Sequence, residues 1–167
     1  MVVLQKPGIR HQDDFIEAAR RSRSLHQGFV SPPVSAERYR AYLKSLRRKN
    51  QAGFLVTLPE TQELVGVINV SEIVLGLFQS AYLGYYAFVP HAGRGLMRQG
   101  MRQVIRYCFD DLRLHRLEAN IQPDNERSLA LAKALGFEKE GYSPCYLRVG
   151  DRWRDHERWA IRSEQWR

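Results

Sequence analysis

The sequence predicts an α/β fold with a mixed, mostly antiparallel, twisted sheet, a central strand-helix-strand crossover and flanking helices. Three observations carry that prediction. Two β-rich runs, 53–58 and 64–70, flank Pro59-Glu60-Thr61-Gln62, which has the length and turn chemistry of a hairpin loop. A Tyr- and Phe-rich run, 81–89, stops at Pro90, precedes an amphipathic helical pattern and is followed by an alternating run, 116–121, as in a crossover. A final hairpin pairs 144–149 with 153–161 and turns at Gly150-Asp151.

The remaining elements follow in order. Asp13 and Asp14 open a helical pattern carrying Phe15, Ile16 and Ala19, and Tyr39, Tyr42, Leu43 and Leu46 recur at i, i+3, i+4, i+7. Pro32-Pro33 reads as the loop between these two helices. After Gly93 and Gly95, apolar side chains at Met97, Met101, Val104, Ile105 and Cys108 mark one buried helix face. In 116–121, Leu117, Ala119 and Ile121 point one way, Glu118 and Asn120 the other. Asn125 is placed to cap a short helix with Leu129, Ala132 and Leu135, which Gly136 ends.

Composition narrows the function classes. At 167 residues, one core and one domain spanning 1–167 are expected, and 44% hydrophobic with 26% charged residues is a globular balance. No apolar run reaches the roughly 20 residues of a membrane span, and 1–10 lacks the apolar core of a signal peptide, so a cytoplasmic protein with no membrane partner is expected. Cys108 and Cys145 have neither metal-ligand spacing nor disulfide density. The formal charge of +8 favours polyanions such as nucleic acid, a ribosome or a phosphorylated cofactor, and equally serves solubility. No aromatic RNA-binding signature is present, so direct nucleic-acid binding is not expected.

The most informative stretch is 85–97, where a strand ends, a Gly-containing loop follows and a helix begins near Gly95. Unpaired N–H groups at a helix start, with the positive end of the dipole, suit a pyrophosphate, and glycine keeps side chains out of its way. Arg94 adds a charge-assisted donor. The loop is not a P-loop, which needs Gly-Lys-Ser/Thr, nor a Rossmann turn, which needs a glycine where Arg98 stands.

Together with Tyr82-Leu83-Gly84-Tyr85, Gly93-Arg94-Gly95-Leu96-Met97, His115 to Asn120, Pro123 to Ser128, Leu135 to Tyr142 and Trp153-Arg154-Asp155-His156, the chain resembles the GNAT-superfamily N-acetyltransferases. The resemblance is to the ribosomal-protein-alanine N-acetyltransferases, the Rim group, over nearly the whole chain. It implies acetyl-CoA as cosubstrate, with its pyrophosphate on Ala92, Gly93, Arg94, Gly95, Leu96 and Met97. The pantetheine arm would pair with the edge of Ala87, Phe88 and Val89, which requires strand 116–121 to splay away. Pro90 departs from the family's Arg/Gln at the first signature position and removes one phosphate contact. Asn125 and Ser128 match the family's Asn-x-x-Ser and would face the cofactor.

The resemblance also places chemistry. Direct transfer needs a neutral amine at the thioester carbonyl, an oxyanion donor and a proton source for the thiolate. Glu118 stands where related N-terminal acetyltransferases carry a base, with an ion pair to a nearby Arg as its alternative role. Glu72 is a second carboxylate at a strand end. Cys145 replaces an acid used by some members and is expected to be packing; Ala132 replaces a proton-donating Tyr, leaving Ser128 as donor, with Tyr146 behind it. His156 and the aromatics Tyr85, Tyr86, Trp153 and Trp159 are expected to be structural. An α-amine, with pKa about 7.7–8.0, is far more available as the neutral form than a lysine at about 10.4. The expected acceptor is therefore a protein N-terminus, and the resemblance implies one on a ribosomal protein; a small-molecule amine acetyltransferase and a non-catalytic acyl-CoA-binding module are the alternatives.

Overall fold

A computed structural model describes residues 1–166. Seven strands form one sheet: β1 (Val3–Gln5), β2 (Ala52–Thr57), β3 (Leu64–Val74), β4 (Ser80–Ala87), β5 (Arg116–Ile121), β6 (Glu138–Val149) and β7 (Arg152–Arg162). Their order is β1-β2-β3-β4-β5-β7-β6, antiparallel throughout except for the β4–β5 pair. The α/β mixed sheet and its crossover are as the sequence predicts.

The helices are α1 (Gln12–Arg21), α2 (Arg23–His26), α3 (Ala36–Ser45), α4 (Leu96–Arg106) and α5 (Glu126–Ala134), with a π turn over Tyr107–Asp111 after α4. α1, α3, α4 and α5 turn the faces their spacing marks toward the core, and α2, which no spacing announces, buries His26. Met101, Val104, Ile105 and Cys108 are fully buried against one face of the sheet, with Ile68, Leu117, Ala119 and Ile121. On the opposite face Phe15 of α1 lies edge-on to Phe88 at 5.5 Å and against Tyr39 of α3 at 4.8 Å. Such aromatic pairs contribute about 0.5–1.5 kcal/mol each beyond their burial and pin α1 and α3 to the end of β4.

Local signals worked at the ends of elements. Asn125 Oδ1 accepts from the Ser128 N–H at 3.3 Å, capping α5, and Gly136 follows it with φ +91°. The last hairpin is longer than its apolar pattern indicates, because β6 already begins at Glu138. Cys145 corrects the packing expectation: a register shift between Ser143 and Leu147 puts it at φ +46°, exposed, its N–H bonded to Asp155 Oδ1.

The decisive feature is the crossover pair. β4 and β5 are bridged only at Ser80–Arg116, Ala81–Leu117 and Tyr82–Glu118, and beyond those residues the two strands part. The sheet therefore opens as a wedge, its vertex at Tyr82 and Glu118, its mouth toward the loop after β4.

Candidate active site

Alternation along β4 sets what the wedge offers. The Phe88 N–H donates to Val65 O at 2.8 Å, so Phe88, Tyr86 and Gly84 turn their backbone polar groups to β3. Leu83, Tyr85 and Ala87 therefore turn theirs away from β3, and between the Tyr82–Glu118 bridge and the His26 bond to Ala87 they leave a short open edge, centred on Tyr85, able to take an extended chain carrying amides. Of the three residues first expected to form that edge, Ala87 lies on it, with its carbonyl accepting from His26 Nε2 at 2.6 Å. Phe88 is in the core, and the Val89 N–H and carbonyl are bonded to Ser22 Oγ and Arg21 Nε, each at 3.0 Å. Leu83 and Tyr85 extend the edge toward the vertex; register, which the sequence does not print, decides this.

The loop after β4 has the geometry of an anion cradle. Gly93 and Gly95 sit at φ +77° and +74°, and a Cβ at either would meet open space. Gly95 caps α4 without a side chain, so the first N–H groups of the helix, at Leu96, Met97 and Arg98, project outward. Ala92 is half-buried. Arg94 donates to His91 Nδ1 at 3.3 Å, and the other ring nitrogen of His91 meets Glu63 at 3.3 Å. An Nδ1 that accepts from arginine leaves the ring proton on Nε2, so a buried His91 links the loop to the β2–β3 turn. Sequence reasoning missed His91, because Glu63 is distant along the chain.

A small cleft of about 90 Å³ runs through the wedge, bounded by Phe29, Leu83, Gly84, Tyr85, Asn120, Gln122, Asn125, Ser128 and His156. It has two sides. Leu83 and Tyr85 belong to the α4–α5 face, where Ser128 Oγ donates to the Tyr85 hydroxyl at 2.9 Å. Burial pushes the Tyr85 phenol up to about 12, a shift the bond from Ser128 partly offsets. Gly84, Asn120, Gln122 and His156 face the α1–α2 side. There Gln122 Nε2 donates to Gly28 O at 2.9 Å and holds the α2–α3 loop over the opening.

Other candidates lie elsewhere. Glu118 is at the vertex, where its Oε1 accepts from Arg116 Nε at 2.8 Å; Arg116 also grips Glu140. Glu118 does not line the cleft. Glu72 is exposed at a bulge of β3, and Ala132 is buried. Trp153 is 62% exposed near the hairpin tip, whereas Trp159 is buried. Among the described residues no group of three or more His, Cys, Asp or Glu is placed to hold a metal, and no helix is long and apolar enough to cross a membrane.

The chain is similar in sequence and in fold to known proteins. A family model described as an acetyltransferase (GNAT) domain matches residues 2–138. The chain belongs to the GNAT acetyltransferase family. It is 42% identical over 108 residues to the [ribosomal protein uS5]-alanine N-acetyltransferase of Escherichia coli, a stretch covering 65% of this chain and 56% of that protein. It is 31% identical over 125 residues to the probable N-acetyltransferase YjcK of Bacillus subtilis, covering 75% and 69%. Mycobacterium smegmatis RimJ in complex with CoA-disulfide superposes with a TM-score of 0.87 at 25% identity, over 98% of this chain and 82% of that one. A Vibrio cholerae spermidine N-acetyltransferase, solved with CoA and spermine, shares the fold at TM-score 0.83 and 19% identity, over 99% and 97%.

Proposed function

We propose that this GNAT chain transfers the acetyl group of acetyl-CoA to the N-terminal α-amine of a protein, by direct attack on the thioester. The single observation that carries the reading is the cleft that pierces the sheet where β4 and β5 part, because it lets two substrates meet from opposite faces. On one face the diphosphate lies on the amides of 92–97 and the pantetheine arm runs along Leu83, Tyr85 and Ala87. On the other face the amine enters beside Gly84, where no side chain stands.

The amine nitrogen forms a bond to the thioester carbon, the carbonyl oxygen takes the electron pair, and collapse breaks the C–S bond to release thiolate. Ser128 Oγ donates to the Tyr85 hydroxyl, whose own proton is engaged only in a long bond to the Ser128 carbonyl at 3.5 Å and can exchange it for the sulfur. A phenol near 12 opposes full transfer to a thiolate near 8.5 by roughly 5 kcal/mol. The pair therefore stabilises the thiolate by hydrogen bonding, and its final proton comes from solvent. Asn125 holds the first turn of α5, and with it Ser128, in place. Glu118, clamped by Arg116, fixes the vertex where the strands part.

The acceptor class follows from the lining. None of the cleft residues carries a carboxylate, which a polycationic amine would need, and a chain of net charge +8 repels such substrates. An α-amine is substantially neutral near pH 7.4, whereas a lysine amine carries a penalty of roughly 4 kcal/mol. The relatives named as uS5-alanine N-acetyltransferases point to a ribosomal protein as the acceptor. The test is a panel of peptides, lysine side chains and polyamines with acetyl-CoA, followed by thiol release. Turnover on free N-termini is expected; turnover confined to lysine or polyamines overturns the assignment, and CoA binding without any turnover favours a sensor.

A further inference from the structure

We infer that His156 is the proton acceptor on the amine side of the cleft, its Nε2 taking the proton that the attacking nitrogen loses. The inference rests on the acetyl-transfer reading above and names the base that reading left open.

Position is the first ground. One step beyond the Ile121–Glu157 pair, His156 of β7 stands level with Gln122 at the mouth of the wedge. Glu118 stands four residues back along β5, about 13 Å away by strand rise, at the closed vertex. His156 lines the cleft although it is only 4% exposed, and Glu118 does not line it. A base has to lie within hydrogen-bond reach of the proton it removes, and only one of these two side chains borders the space an amine would occupy.

Ring chemistry is the second. His156 Nδ1 lies 2.9 Å from the carbonyl oxygen of Arg154, an acceptor, so Nδ1 carries the proton and donates it. Nε2 is then the basic nitrogen, on the ring edge turned away from its own strand. The ring's one hydrogen bond among the described residues is that of Nδ1, and the Tyr146 ring, tilted with its centroid 6.4 Å away, packs against the imidazole. A backbone carbonyl that sets the tautomer while the second nitrogen faces a substrate space is how an imidazole is prepared as a base. Asn120, on the same face of β5, adds an amide whose Oδ1 has no partner among the described residues.

The surroundings bear on any pH measurement. Arg154 and Arg158 flank His156 two residues away on β7, Tyr146 comes from β6, and Glu118 and Tyr82 lie toward the vertex. The cleft wall from the α2–α3 loop, Phe29 and Val30, contributes no titratable side chain. The step balances: the amine forms the C–N bond, the C–S bond breaks, the ammonium proton passes to Nε2 and then to solvent, and the thiolate is protonated from solvent.

The experiment uses the full chain, acetyl-CoA and an N-terminal alanyl peptide, with kcat followed from pH 6 to 9. His156→Gln is expected to lower kcat by about 100-fold or more near pH 7 and to remove the acid limb of the profile. CoA affinity by calorimetry should stay within about twofold, since His156 is on the amine side. Imidazole should restore part of the rate to His156→Ala. In wild-type protein, nitrogen NMR of the histidines should find His156 Nδ1 protonated and Nε2 bare, a measurement independent of any variant's folding. A His156→Gln enzyme within about threefold of wild type, or Nε2 carrying the proton, overturns this proposal alone. Wild-type protein that binds CoA but acetylates no amine overturns the acetyl-transfer reading as well.

Discussion

The Ser128 hydroxyl donates to the Tyr85 hydroxyl at 2.9 Å, tying the first turn of α5 to the middle of β4 across the mouth of the wedge. The bond orients a phenol whose ring is held among core side chains. Tyr85→Phe keeps that ring and removes only the terminal hydroxyl. A hydrogen bond to a charged group contributes about 1.5–3 kcal/mol, so kcat should fall roughly 10- to 100-fold with CoA affinity nearly unchanged. Ser128→Ala should cost less, because Tyr85 keeps its own proton. Thiol release at saturating acetyl-CoA measures both; a Tyr85→Phe enzyme with full kcat removes the pair from the mechanism.

Two glycines should fail for opposite reasons. Gly93 is at φ +77° with open space around it, so Gly93→Ala strains the loop by about 1–2 kcal/mol and places a methyl where the diphosphate would lie. Its main effect should be weaker CoA binding by calorimetry. At Gly66 a Cβ would run into Met97 Sδ and come within 2.6 Å of the Tyr86 carbonyl oxygen. Gly66→Ala should therefore destabilise by about 2 kcal/mol or more, a fall in Tm of roughly 4–8 °C. Equal effects on melting and binding in the two variants would contradict this division.

The two thiols should react very differently. Cys108 is fully buried, and burial pushes its thiol up to about 12. Cys145 is exposed on β6. Native protein treated with a maleimide should gain one adduct, at Cys145, and a second only after denaturation; mass spectrometry of the intact chain counts them. Rapid double labelling of folded protein would show that α4 and the π turn do not shield Cys108.

What the sequence discloses here is what local chemistry decides. Asn125, Gly136 and the Gly93–Gly95 loop were legible because a cap, a left-handed residue and a helix start each depend on a few neighbours. The alternation of β5 was legible because one of its faces is core. Cys145 was misread because the resemblance marks it only as the replacement of an acid, and nothing local announces the register shift in β6 that leaves it exposed. The open edge at Leu83 and Tyr85 depends on which β4 residues bond to β3, a property of two strands. His91 needed Glu63, and His156 needed both the Arg154 carbonyl and the cleft. His156 stood within a matched motif, but only the fold shows which ring nitrogen is left free.

His26 gives the protein a stability that depends on pH. Its Nε2 donates to Ala87 O at 2.6 Å, so the proton is on Nε2, and the bare Nδ1 is buried without a partner among the described residues. Charging the ring would put a proton on that buried nitrogen. Burial therefore lowers the His26 pKa from its ordinary 6.5, outweighing the carbonyl, which acts the other way; His11 is lowered as well, chiefly by burial. Below pH 6.5 the unfolded chain binds protons that the folded chain declines. Stability is then fully present above 6.5, declines as pH falls beneath it, and levels off once the folded histidines also protonate. Urea unfolding at pH 7.5, 6.5 and 5.5 should show this decline in wild-type protein, above the range where carboxylates dominate. His26→Gln, which keeps an N–H for Ala87 and cannot titrate, should have a lower stability at pH 7.5 and a shallower loss toward pH 5.5. Parallel losses in the two proteins would place the pH sensitivity elsewhere.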